Sequence, residues 1–453
     1  MFIKKLHLQN FRCYRDFTIE FSPKLTVIVA ENGKGKTAIL DALAIAMTPY
    51  LAAFHGSRPR NFQSGDVRMV LEQGLDAQGI RIPRMKYELP VSLEVEIDAN
   101  AEKSGVLSWT RSMKTQKGRT TSQNAKLVAR YAKNLYNLLN KKGDEAIVLP
   151  VLGYYGTVRM WNDSSLLKGG DIDMSRASGY IECLEPSGSY NTFGQWFRYA
   201  SESALEFDHM IKERGLQVKN PYREILKAVK KAIIACISSM GWTDIMYSFS
   251  AQNLLVCHPT KGLFPMETMS DGARSVISMA ADIAYRMARL NPDLGEDVAL
   301  KTPGIVLIDE VDMHLHPSWQ QTVVQDLAQA FPNVQFIMTT HSPQVLTSVP
   351  AEDIRILHWM EDDQVRIEAP SFSYGAESSQ VLKDIQNVDS RPVNLPIVKD
   401  LKRYLELVNA DQWDTPEALT LRKRLDDWSQ GRDPALLKAD MDIRVRNYRR
   451  KKS

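Results

Sequence analysis

The chain has 453 residues, about three times the usual length of one domain, so more than one packed lobe and a large core are expected. Hydrophobic residues make up 44% and charged residues 25%, and 57 Lys/Arg against 54 Asp/Glu leave a net charge of +3, which excludes a strongly basic, histone-like scaffold. No apolar run approaches the roughly 18 residues of a membrane span, no signal-peptide core opens the chain, and the 4 cysteines (Cys13, Cys183, Cys236, Cys257) lack CxxC spacing. A cytoplasmic protein with free thiols, and no membrane partner, is therefore expected.

Phe2 to Leu8 and Phe17 to Phe21 alternate apolar and polar residues and read as strands. Leu25 to Val29 is a short apolar run that stops at a glycine-containing turn, after which Ala38 to Met47 is apolar at helical spacing. Strand, turn and helix in this order open an α/β nucleotide-binding lobe. Strands follow at Val91 to Ile97 and Val106 to Arg111, then amphipathic helices at Gln123 to Asn140, Asn191 to Glu213, Pro221 to Met240 and Val276 to Leu290. The α/β grammar returns with a strand at Gly304 to Ile308, a helix at Pro317 to Ala330, a strand at Val334 to Met338 and a turn into Pro343 to Leu346. Two halves of one sheet are thus expected around a compact insert: 1–120 and 246–372 as the halves of an ATPase head, 121–245 as a helical insert, and 373–453 as a helical C-terminal segment. Lys438 to Ser453 carries Lys438, Arg444, Arg446, Arg449, Arg450, Lys451 and Lys452 against Asp440 and Asp442, so the rest of the chain is slightly acidic. This basic tail is either a solvated terminus or an electrostatic contact to DNA or an acidic partner.

Four motifs carry chemistry. Ala30-Glu31-Asn32-Gly33-Lys34-Gly35-Lys36-Thr37 sits between a strand and a helix. Backbone amides of Asn32 to Gly35 can turn inward around phosphates, Lys36 can reach the β and γ phosphates of ATP, and Thr37 can ligate Mg2+. The pattern expects glycine at position 30, where this chain has alanine. Ile305 to Ile308 ends in Asp309, placed to hold the metal, and Glu310, placed to polarise the attacking water. Val311-Asp312 then runs into His314-Leu315-His316-Pro317, where a capped helix start accounts for the histidines better than a metal pair does. His341, after the next strand, can donate to a γ phosphate. Ser270 and the Gly272 amide precede a helix and suit a phosphate, although Ser-Asp-Gly is also an ordinary turn and cap.

Phosphate loop, Ser-Asp-Gly before a helix, strand with Asp-Glu, then His after another strand is the motif order of ATP-binding-cassette ATPase heads, which this chain resembles. The resemblance implies a P-loop fold with a mixed sheet, and a head-to-head homodimer or higher oligomer in which Ser270 and Gly272 reach the other subunit's ATP. Asp312 would then lie in the loop linking the two sites. Alanine at position 273, where glutamate is usual, implies slow turnover. Leu8-Gln9-Asn10-Phe11-Arg12 is similar to the Asn-Phe-Arg segment of RecF-like and SMC-like heads, implying that Arg12 approaches the nucleotide. Leu149 to Trp161, with its Tyr154-Tyr155-Gly156-Thr157-Val158-Arg159 turn, together with Gln195-Trp196-Phe197 and Ser373-Tyr374-Gly375, resembles the ATPases related to PtuA of the Septu anti-phage systems. Either Gln63 or Arg159 would sense nucleotide state. The family implies an HNH nuclease partner (PtuB-like) and DNA engaged through the complex. No nuclease centre is expected in this chain, because Asp440-Met441-Asp442 follows no apolar strand. A RecF-like loader of proteins on DNA is the alternative, and a transporter motor is disfavoured by the Asn-Phe-Arg start.

Overall fold

The computed structural model describes residues 1–54, 56–58, 60–75, 81–99, 105–116, 118–139, 147–157, 175–186 and 190–450. Five strands dominated by apolar residues build its central sheet. Ile354–Trp359, Leu25–Val29, Val334–Thr339, Gly304–Ile308 and Val151–Tyr155 lie side by side in that order, all parallel, and Val365–Glu368 closes one edge antiparallel. Strands covered on both faces need no polar alternation, which is why Gly304–Ile308, Val151–Tyr155 and Val334–Thr339 are buried at every position. A second sheet is antiparallel, in the order Tyr14–Glu20, Phe2–Phe11, Val91–Asp98, Val106–Met113, Thr121–Gln123. The expected joining of the two sequence halves is therefore present: Leu25–Val29 pairs with Val334–Thr339 across the whole insert.

The helix Lys36–Ala46 is buried around almost its entire circumference because it touches strands of both sheets. Its C-terminal carbonyls lack intrahelical donors and are met by the antiparallel sheet. Arg111 donates to Ile45 O at 2.6 Å and Trp109 Nε1 to Ala46 O at 2.9 Å. Burial pulls the Arg111 guanidinium down to about 10, and the negative end of the helix faces that cation.

Three sequence expectations shift. The stretch 121–245 is not helical throughout: Thr121–Gln123 joins the antiparallel sheet and Val151–Tyr155 joins the parallel one, beside Gly304–Ile308. The helix expected over Pro317 to Ala330 is two, Pro317–Gln320 and Val323–Ala330. The Gln320 side chain turns back to Leu315 O at 2.9 Å at the break. The chain divides into compact units at Met1–Val381 and Leu382–Ser453, later than residue 373. The reason is local: Ser373 Oγ donates to Val349 O at 2.7 Å and Gly375 N to Thr347 O at 2.8 Å, so this stretch still belongs to the first unit.

The second unit holds the helices Pro396–Asn409, Pro416–Ser429 and Pro434–Arg450, each opened by proline at its first turn. They close on Leu401, Tyr404, Leu407, Leu425 and Leu436. The basic tail is helical through Arg450. Arg446 within it donates to Asp411 at 2.6 Å, and Asp440, expected on a solvated surface, is bound by Arg422 Nη2 at 2.9 Å. Lys451 and Lys452 lie outside the described residues.

Candidate functional site

The site forms where the parallel strands end. After Leu25–Val29 the chain turns through Gly33 and Gly35, both at positive φ (75° and 88°), into the helix that begins at Lys36. Position 35 also needs glycine sterically, since a Cβ there would stand 2.6 Å from both Cys13 Sγ and the Tyr14 hydroxyl. Trp359 Nε1 and the Tyr14 hydroxyl point at Lys34 O, at 3.2 and 3.4 Å, and their rings stack at 5.7 Å. The loop crest is thus fixed by residues from two other strands. Asn32 is exposed at that crest.

Lys36 Nζ donates to Ala30 O at 2.9 Å and Glu31 O at 3.1 Å, which holds the ammonium inside the curve of the loop. Burial lowers its pKa, against the opposing pull of Asp309, Glu310 and Asp312. Thr37 Oγ1 donates to Asp309 Oδ2 at 2.7 Å, joining residues 272 positions apart. The other oxygen of Asp309 accepts from Thr339 Oγ1 at 2.6 Å, and that hydroxyl in turn accepts the Glu310 amide at 2.8 Å. Glu310 sits at φ 49°, the left-handed region, so the chain swings out of the strand at this residue and leaves its side chain half-buried. Thr340 Oγ1 donates to Asp312 Oδ1 at 2.5 Å. His341 is half-buried. Burial first, then the Lys36 charge, push its imidazole below its ordinary value, while Asp312, Glu310 and Asp309 pull the other way. A neutral His341 at pH 7 follows.

A hydroxyl and a carboxylate oxygen held together at Thr37 and Asp309 suit a small hard cation such as Mg2+, which keeps water and takes phosphate oxygens for its remaining positions. Among the described residues no cluster of three or more His, Cys, Asp or Glu side chains could hold a metal alone.

Arg12 is drawn back into a carboxylate network. Its Nη1 donates to Asp41 at 2.6 Å, and its Nε and Nη2 donate to Asp66 at 2.9 and 2.8 Å. Asp66 also accepts the Gln63 amide at 2.9 Å, so Arg12 fixes the turn that presents the exposed Gln63. Arg159 lies outside the described residues.

Ser270 is exposed at the N-cap of Asp271–Leu290 and makes no side-chain capping bond, which leaves its hydroxyl available at the surface. Gly272 is buried against the segment after Glu310, and a Cβ there would stand 2.2 Å from His314 O. His316 caps Pro317–Gln320 through Nδ1, which accepts Ser318 N at 3.3 Å. We predict that Gly272→Ala lowers the unfolding free energy by roughly 1–3 kcal/mol through overpacking. Ser270→Ala, at an exposed hydroxyl, should stay within about 0.5 kcal/mol of wild type; denaturant titration of both variants checks the contrast.

Sequence reasoning missed Thr339, Asp41 and Asp66. Thr339 was visible only as the polar end of an apolar strand. The two aspartates carry no local signature.

The AAA domain family model matches residues 5–231, half of the chain, around the phosphate loop just described. The chain belongs to the AAA domain family. A second AAA domain model matches residues 243–347, which contain Ser270, Asp309, Glu310 and His341. This AAA protein is 26% identical to "Retron Ec83 probable ATPase" of Escherichia coli, an alignment covering 98% of this chain and 87% of that one. It is 22% identical to "Septu protein PtuA" of Bacillus mycoides (strain KBAB4) over 81% of this chain and 42% of that one. The expected resemblance to PtuA-related ATPases is borne out, and the retron ATPases extend it over nearly the full length. The head domain of an SMC protein, solved with the C-terminal winged helix of ScpA, aligns at 16% identity and a TM-score of 0.46, covering 82% of this chain and 98% of that one. No helix among the described residues is long and apolar enough to cross a membrane.

Proposed function

We propose that this chain is the ATP-hydrolysing regulatory subunit of an anti-phage nuclease complex, whose nucleotide state governs DNA cleavage by a partner nuclease of the HNH class. The observation that carries the ATPase part is the Thr37–Asp309 hydrogen bond of 2.7 Å, which fuses the phosphate loop to the Asp-Glu strand end. Amides from Asn32 to Gly35 cradle the phosphates, with Lys34 at the crest. Lys36 exchanges its loop carbonyls for β- and γ-phosphate oxygens. Thr37 and Asp309 would hold Mg2+, which supplies charge neutralisation on those phosphates when bound. Glu310 takes the proton of the attacking water as its oxygen bonds to the γ phosphorus. The bond from that phosphorus to the bridging oxygen breaks, and ADP leaves. His341, neutral, donates one ring N–H to the γ phosphate.

In a head-to-head homodimer, Ser270 and the Gly272 amide act on the other subunit's ATP, Asp312 lies in the loop between the two sites, and Arg12 and Gln63 connect nucleotide state to the antiparallel sheet. Support for the defence role is the similarity to the retron ATPases along both chains and to PtuA over part of its length. DNA is engaged through the complex.

The test is to purify the tagged chain from its native operon, identify what co-purifies, and assay the complex for DNA cleavage with and without ATP. Cleavage that requires the partner and changes with nucleotide is the expected result. If the complex cuts no DNA in any nucleotide state while the chain alone binds DNA in response to ATP, the regulatory reading fails and a RecF-like loader takes its place.

A further inference from the structure

The sequence singles out Tyr154-Tyr155, yet neither residue enters the hydrolysis just described. Both end the strand Val151–Tyr155, which runs parallel to Gly304–Ile308 with Tyr155 opposite Ile308. The Tyr155 carbonyl accepts the Asp309 amide at 2.8 Å, so this strand end holds the backbone of the Asp-Glu pair directly. Successive side chains of a strand leave on opposite faces, and here each face meets a different helix. The Tyr154 hydroxyl donates to Asp41 Oδ1 at 2.9 Å, on the helix that begins at Lys36. The Tyr155 hydroxyl donates to Asp282 Oδ2 at 2.8 Å, on the helix whose N-cap is Ser270.

Neither hydroxyl meets an isolated carboxylate. Asp41 also accepts Arg12 Nη1 at 2.6 Å and Arg60 Nη2 at 2.5 Å. Asp282 also accepts Arg286 Nε at 2.7 Å, and Arg286 goes on to Gly179 O and Ile181 O at 3.0 and 2.8 Å. The Asp282 and Arg286 side chains are 5% and 4% exposed, and Asp282 Oδ1 is buried with no hydrogen-bond partner among the described residues. A buried carboxylate with few donors is sensitive to the loss of any one of them. The Tyr155 hydroxyl is therefore a substantial part of what fixes this stretch of the helix. Asp282 lies about 18 Å along the helix from Ser270, so a small rotation of the helix about Asp282 is enlarged at its Ser270 end.

We infer that Tyr154 and Tyr155 are positioning residues with separate duties: Tyr154 sets the phosphate-loop helix, and Tyr155 sets the helix Asp271–Leu290 relative to Asp309 and Glu310. This rests on the ATPase reading of the site. In the proposed dimer the loop binds ATP, whereas Ser270 and the Gly272 amide act on the other subunit's ATP, so the two hydroxyls should separate in steady-state kinetics. Loss of the Tyr154 hydroxyl should weaken nucleotide binding, and loss of the Tyr155 hydroxyl should slow turnover with binding intact.

The experiment compares Mg-dependent ATP hydrolysis by the full chain as wild type, Tyr154→Phe, Tyr155→Phe and Lys36→Ala, with thermal unfolding of each. Phenylalanine keeps the ring and removes only the hydroxyl. Tyr155→Phe should lower kcat by about 5–20-fold and leave KM within about twofold. Tyr154→Phe should raise KM by about 5–20-fold with a smaller change in kcat. If both variants change kcat and KM alike, or neither changes them, while wild-type turnover still depends on Lys36, the separate duties are wrong and the ATPase reading stands. A merely structural role would lower the melting temperature of both variants without this split. Wild-type turnover that persists in Lys36→Ala, or is absent altogether, would overturn the ATPase reading and this inference with it.

Discussion

Glu310→Gln is expected to cut ATP turnover by at least about 100-fold while the protein still binds ATP and accumulates as an ATP-bound dimer. The substitution keeps the size and the hydrogen-bonding reach of the side chain and removes its ability to take a proton. Its backbone setting does not use the charge: the left-handed φ of 49° and the hydrogen bond from its amide to Thr339 Oγ1 belong to the main chain. Groups that act on the charge developing in a transition state commonly contribute factors of this size. Asp309, with both oxygens held by Thr37 and Thr339, is untouched, so metal and phosphate binding should survive. Gel filtration with ATP present should report the dimer, and phosphate release the lost turnover. Turnover within a few fold of wild type would remove Glu310 from the reaction and leave another base to be found.

Lys36→Ala should have the opposite signature, with ATP affinity reduced by about 100-fold and no ATP-dependent dimer. A charge-assisted hydrogen bond contributes roughly 1.5–3 kcal/mol, and the proposed mechanism gives Lys36 two of them to phosphate. Its removal also leaves Asp309, Glu310 and Asp312 facing the phosphates without the ammonium that offsets them, as their common pull on its pKa indicates. The same variant gives a second readout. Lys36 is one of the causes that hold His341 below its ordinary pKa, so the imidazole should titrate higher once the ammonium is gone, and NMR of the His341 ring measures that directly. An unchanged His341 titration together with unchanged ATP affinity would place Lys36 outside the site.

Much of the fold is legible in the chain because its central strands are buried on both faces. Leu25 to Val29 and Gly304 to Ile308 are continuous apolar runs, and each ends in the polar residues that build the site. Order supplied the rest of the head, since the motifs fall at successive strand and helix ends. What sequence concealed is pairing. Nothing near Arg12 announces Asp41 and Asp66, and nothing near Tyr155 announces Asp282, 127 positions away. Nothing within Val151–Tyr155 announces its place beside Gly304–Ile308, because parallel neighbours are joined by long crossovers and need not be successive in the chain. The end of the first unit is hidden for a similar reason: the bonds of Ser373 and Gly375 back to Val349 and Thr347 are invisible in a polar stretch.

In the proposed mechanism Lys36, Thr37 and Asp309 of one chain form a single magnesium-dependent ATP site. Equilibrium titration of the full chain with ATP, with Mg2+ present and then with it chelated by EDTA, tests it most directly. One ATP bound per chain, with affinity that falls by an order of magnitude or more on chelation and is lost in Lys36→Ala, is the predicted result. No saturable binding, or binding indifferent to both Mg2+ and Lys36, would contradict it.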